Sequence, residues 1–102
     1  MKNAPTFEEL VGGLARGIIV PLAEKKWDLL APRFQVVDRM DNGLSGRILL
    51  IRWPQEGKRK KGWAIVEDPE PQLKVVRPLK DEKEARALIA DRLAAYERMW
   101  DG

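Results

Sequence analysis

Trp53-Pro54-Gln55-Glu56-Gly57-Lys58-Arg59-Lys60-Lys61-Gly62-Trp63 is the stretch on which the reading of this chain turns. Four consecutive cations sit between two glycines, and a tryptophan stands at each end, where one apolar run stops and the next starts. Such a segment reads as the tip of a long hairpin, a basic finger held out from a sheet. Without these four residues the chain has 15 Lys+Arg against 16 Asp+Glu, so its formal charge of +3 arises in this loop. A localised patch points to a site more than diffuse basicity does.

Strands extend from both ends of the finger. The apolar run Ile48-Leu49-Leu50-Ile51 marks a strand over Arg47 to Trp53, and Trp63 to Glu67 is its partner across the loop. The acidic turn Glu67-Asp68-Pro69-Glu70-Pro71 leads into a strand from Leu73 to Arg77, which Pro78 should end. Upstream, Phe34, Val36 and Met40 alternate with Gln35, Val37 and Arg39, as in a half-buried strand. Asp41-Asn42-Gly43 follows as hairpin chemistry, since Asn-Gly accepts positive φ angles. The result is a four-stranded antiparallel meander.

Helices flank it. Thr6-Phe7-Glu8-Glu9 fits a capping box, and Phe7, Leu10, Val11, Leu14 and Ile18 follow helical spacing. Gly12, Gly13 and Gly17 weaken this helix, and Pro21 should kink or break it before a second helical piece from Leu22 to Leu30. The glycines fit either close packing on a sheet or a segment that rearranges on binding. At the other end, Asp81-Glu82-Lys83-Glu84 caps a final helix and matches its dipole. Ala85, Leu88, Ile89, Leu93, Tyr96 and Trp100 form the apolar stripe of this helix, and Glu82 and Arg86 form an i,i+4 pair. The expected fold is α+β, in the order α-β-β-β-β-α, one domain over residues 1–102, with both terminal helices on one sheet face. The opposite face would stay open. If Phe34, Val36, Met40, Leu49, Ile51, Trp63 and Ile65 point inward, then Arg33, Arg39, Arg52 and Lys74 point outward beside Val37, Leu50, Val66 and Val76. Such a face would be basic and partly aliphatic.

Composition removes whole classes of chemistry. The chain contains no cysteine and no histidine, which excludes disulfides, the usual zinc sites and imidazole-based nucleophile systems. The start Met-Lys-Asn-Ala-Pro-Thr-Phe-Glu-Glu is polar and unlike a signal peptide, and no apolar run is long enough to span a bilayer. A cytoplasmic protein with no membrane partner is the expectation, although lack of cysteine fits a cell exterior as well.

The candidate polyanion contacts are Lys58, Arg59, Lys60 and Lys61, joined by Arg33, Arg39, Arg52 and Lys74, with Trp53 and Trp63 as stacking residues for bases. The competing reading is a solvated hairpin tip, with Trp53 and Trp63 as a cross-strand pair closing its base. Gly57-Lys58 is not a phosphate-binding Walker loop, because Arg59 occupies the hydroxyl position and no helix follows. Glu67, Asp68 and Glu70 form a turn that deters strand addition rather than a cation site, and no EF-hand spacing is present. Asp38 and Asp41 flank a turn and have no evident burial to separate their acidities. No catalytic residue, metal or cofactor is expected.

In order of elements, the chain is similar to the double-stranded RNA-binding domain, and the Lys58 to Lys61 loop between middle strands has a counterpart there. That family grips phosphates with a lysine-rich start to its last helix and a histidine in a strand loop. Here the helix opens Lys80-Asp81-Glu82-Lys83-Glu84, mostly acidic, and histidine is absent. In its Ala-Arg-Leu-rich helices, as in Glu84-Ala85-Arg86-Ala87-Leu88, the chain also resembles short α+β proteins of high-GC proteobacteria such as Burkholderia. The functional expectation is a non-catalytic binding module that holds nucleic acid or another polyanion through the basic loop. The alternative is a protein-interaction or structural module, monomer or homodimer, acting through the open sheet face or an edge near Leu73 to Arg77.

Overall fold

Thr6 opens the first helix as its capping residue. Its side chain accepts from the Glu9 N–H at 3.2 Å, and the Glu9 carboxylate accepts from the Thr6 N–H at 3.0 Å. The computed structural model describes residues 6–41, 46–58, 60–68 and 73–101, the side chains of 99–101 excepted. In chain order the elements are α1 (Phe7–Ala15), β1 (Val20–Ala23), α2 (Glu24–Leu30) with a 3₁₀ turn at Ala31–Arg33, β2 (Gln35–Asp41), β3 (Arg47–Trp53), β4 (Gly62–Glu67), β5 (Leu73–Leu79) and α3 (Glu82–Asp101). The five strands form one antiparallel sheet in the order β1-β5-β4-β3-β2.

The fold class is the expected one, and the strand count is not. Gly17 takes φ of 81°, its N–H donates to Leu14 O, and the Ile18 N–H donates to Gly13 O, both at 3.0 Å. This is a Schellman ending, so α1 stops at Ala15, well short of Pro21. The chain released there is extended, and Val20-Pro21-Leu22-Ala23 pairs with β5 as a fifth strand. Pro21 is tolerated because β1 is an edge strand. Pro78 likewise does not end β5: it pairs with Ala64 and lies beyond Val76, where β1 has already stopped.

The larger correction concerns the sheet faces. Phe7, Leu10, Val11, Leu14, Trp27 and Leu30 from α1 and α2 pack with Leu49, Ile51, Trp53, Ala64, Val66 and Val76 on one face. Ala85, Ile89 and Tyr96 of α3 pack with Ile48, Leu50 and Ile65 on the other, with Val37, Met40, Trp63, Leu79, Leu88 and Leu93 around them. Both faces are therefore covered, and the expected open face is the bed of α3. Leu50, Ile65 and Ile48 are fully buried there. Each such side chain contributes about 1.5–3 kcal/mol relative to exposure, enough to hold a helix with only a narrow apolar stripe.

Parity is corrected in the same way. Trp63 and Ile65 do not share a face with Leu49 and Ile51, because register places Leu50 opposite Ile65 and Arg52 opposite Trp63. A bulge between Val36 and Asp38 turns Val37 and Met40 toward α3, and Val36 is left exposed on edge strand β2. The edges of the sheet are β1 and β2. The segment near Leu73 to Arg77 is internal, paired on both sides.

The start of α3 shows the cap that its sequence implies. The Glu84 N–H donates to Asp81 Oδ1 at 2.8 Å, and Arg86 Nε donates to Glu82 Oε2 at 2.8 Å. The Asn42-Gly43 and Pro69-Glu70-Pro71 turn readings and the Trp100 side chain lie outside the described residues.

Candidate polyanion-binding site

The β3–β4 loop does not stand away from the domain. Trp53 is buried on the α1 and α2 face, and its Nε1 donates to the Lys60 carbonyl at 3.0 Å, tying the returning limb of the loop to the core. Phe34 lies against Phe7, Trp27 and Trp53 at centroid separations of 5.0, 5.8 and 5.9 Å, which fixes the indole in place. Gly62 sits directly beneath that indole. A Cβ at Gly62 would run into the indole ring, so the second loop glycine is required by close approach of an aromatic ring.

Tethering lays the basic residues along the domain. Lys58 and Lys60 face the exposed side of α1 across a hollow of about 490 Å³ that Glu8, Val11 and Arg16 also line. Lys60 and Lys61 bound a smaller hollow of about 220 Å³ with Lys80, at the end of β5. Lys61 then borders a third, of about 340 Å³, together with Gln35 and Arg52. These shared walls join Arg16, Lys58, Lys60, Lys61, Lys80 and Arg52 into one arc. None of the six has a carboxylate partner among the described residues.

Five of the cations elsewhere are neutralised. Glu67, buried in β4, is ion-paired to Arg77 and receives Arg92 Nε at 2.9 Å and the Tyr96 hydroxyl at 3.3 Å. Hydrogen bonds from Arg92 to Tyr96 and then to Glu67 hold this guanidinium above its ordinary pKa, against the opposing effect of burial. Arg86 is raised in the same sense by Glu82 and then Asp38. On the opposite sheet face, buried Lys74 reaches Asp68 at 2.9 Å, and Arg47 approaches the same carboxylate at 3.5 Å. Positive potential is thus cancelled at these positions, whereas the three hollows around the loop are lined by six cations and the single acid Glu8.

The structure sorts the sequence candidates accordingly. Lys58, Lys60 and Lys61 are exposed and belong to the arc, and Arg59 lies outside the described residues. Arg52 belongs too, its Nε donating to Gln35 Oε1 at 2.6 Å and its guanidinium 5.5 Å from the Trp63 ring centroid. Lys74 does not: only 2% exposed, it serves Asp68. Arg33 is stacked over Phe7 at 4.2 Å and Arg39 is exposed on β2, and neither lines a hollow around the loop. Trp53 is core and offers no face to a base. Trp53 and Trp63 are not a cross-strand pair either, because Trp53 is opposite Gly62 and Trp63 opposite Arg52, on different faces. Half-buried Trp63 remains at the surface of the third hollow.

Arg16, Lys80, Gln35 and Gln55 are the additions that sequence reading did not supply. Arg16 follows the last residue of α1 and Lys80 follows the last residue of β5, so only the folded chain brings them to the loop. Glu67 and Asp68 do not converge on a cation, since each already faces basic side chains on its own side of the sheet. No helix among the described residues is long and apolar enough to cross a membrane. The chain matches no protein-family model, and no curated protein or solved structure is significantly similar to it.

Proposed function

We propose that this protein is a non-catalytic binding module that holds a phosphate-bearing polyanion, nucleic acid in the first instance, along the arc formed by Arg16, Lys58, Lys60, Lys61, Lys80 and Arg52. The observation that carries the reading is the clustering of unpaired cations. Arg47, Lys74, Arg77, Arg86 and Arg92 are matched to carboxylates, and other cations without one, such as Arg39 and Lys83, line none of the three hollows, whereas the six arc residues share them and have no carboxylate partner among the described residues. A folded domain gains little by leaving like charges side by side, so such an arrangement is suited to an anionic ligand. The tethered loop adds preorganisation, because fewer backbone degrees of freedom are lost when a ligand is bound.

The experiment is a fluorescence titration with short DNA and RNA at low and physiological salt, comparing the native chain with a variant in which Lys58, Arg59, Lys60 and Lys61 are all serine. Saturable binding that the variant loses is the expected result. Six phosphate contacts to a duplex give a salt slope of about −5, a loss on the order of a thousandfold between roughly 50 and 200 mM salt. Absence of binding at low salt by a folded protein overturns the proposal.

A further inference from the structure

We infer that the hollow between the start of β2 and the β3–β4 loop accepts a nucleobase, so that the polyanion held by the basic arc is single-stranded nucleic acid. This rests on the polyanion reading above and deepens it. At about 340 Å³ the hollow falls at the small end of the range typical of ligand pockets. Its lining is not that of a pure phosphate site. Trp63 and Pro54 supply apolar ring surface, Gln35 and Gln55 supply amides that both donate and accept, and Arg52 and Lys61 supply charge.

The register explains how this combination is assembled. Gln35, Arg52 and Trp63 form one row across β2, β3 and β4, on the sheet side that α3 covers further along. The hydrogen bond from Arg52 to Gln35 and the guanidinium lying over the indole hold three side chains in a fixed order before any ligand arrives. A planar heterocycle with hydrogen-bonding edges matches such a lining, whereas sulfated or phosphorylated chains without bases leave the rings and amides unused. Lys61 lines both this hollow and the one it shares with Lys60 and Lys80, so a phosphate adjoining a bound base meets the arc directly. Bases of a duplex are stacked and paired, and entry would require breaking that arrangement.

The test compares three probes at low salt with the intact protein: a short oligothymidylate, a duplex of the same length, and inorganic polyphosphate. Gln55→Ala and Trp63→Leu are the variants. Trp63 also packs against the α3 cluster, so Gln55→Ala, at an exposed loop position, keeps the test valid if Trp63→Leu fails to fold. The expected result is about tenfold tighter binding of the single strand than of either other probe, with the variants weakening the single strand alone. Equal affinity for all three probes, or variants that weaken all three alike, overturns the base site while leaving the arc intact. Failure of every probe to bind overturns the arc and this inference with it.

Discussion

Replacing Gly62 with alanine should destabilise the domain by about 2 kcal/mol, although alanine is otherwise the better residue in a strand by roughly 0.5–1 kcal/mol. The added Cβ would overlap the Trp53 indole ring. That ring cannot retreat cheaply, being 3% exposed, set edge-on against Phe34 and hydrogen-bonded to the Lys60 carbonyl. Forced overpacking costs about 1–3 kcal/mol, and loss of the indole hydrogen bond adds roughly 1 kcal/mol, less the gain from removing a glycine. For a domain of this size, about 2 kcal/mol lowers the melting temperature by roughly 10 °C. Thermal unfolding followed by circular dichroism reads this directly. A double-mutant cycle sharpens it: in a Trp53→Leu background, Gly62→Ala should cost far less, because the two positions are in contact. A melting temperature unchanged or raised by Gly62→Ala alone would refute the close-approach argument.

Other consequences concern buried charge and pH. Asp68→Ala should cost about 3 kcal/mol in chemical denaturation, because it strands the buried Lys74 ammonium, whereas Lys74→Met should lie within about 1 kcal/mol of the native chain. Equal costs for the two variants would contradict that asymmetry. Glu67→Leu, by leaving Arg77 and Arg92 without their shared carboxylate, should lower the denaturation midpoint with little change in slope. The backbone N–H of Thr6, and then its hydroxyl, hold the Glu9 carboxyl below its ordinary pKa. A depressed folded-state value means this contribution is complete above the usual carboxylate range and disappears as pH falls through the folded pKa. Glu9→Gln should therefore lower the melting temperature at neutral pH and converge with the native chain in acid, and a constant offset at every pH would contradict the linkage.

The parts of the fold legible in sequence were those written in local chemistry. Thr6 with Glu9, and Asp81 with Glu84, are caps whose partners lie three residues away, so no tertiary knowledge is needed to find them. Strand β1 was hidden because Pro21 follows an apolar run that suits a helix, and the deciding residue was Gly17, whose left-handed conformation ends α1 first. Coverage of both sheet faces did have a sequence signal. Ile48-Leu49-Leu50-Ile51 and Ala64-Ile65-Val66 are continuous apolar runs, the pattern of strands buried on both sides, and alternation was the wrong template for them. Of the candidate site, the run Lys58 to Lys61 was plain, but the position of Lys58, Lys60 and Lys61 against Arg16 and Lys80 depends on the Trp53 hydrogen bond, which no local pattern reveals. Lys74 illustrates the reverse error: a cation assigned to the surface by parity lies buried beside Asp68.

The loop and the end of α1 are proposed to act as one phosphate surface, and the salt dependence of oligonucleotide binding by Arg16→Ser is the decisive measurement. The expected result is weaker binding at every salt concentration and a slope shallower by about 0.7–0.9, the contribution of one lost phosphate contact. Affinity and slope identical to those of the native chain would contradict it, because the loop would then be acting without the domain that holds it.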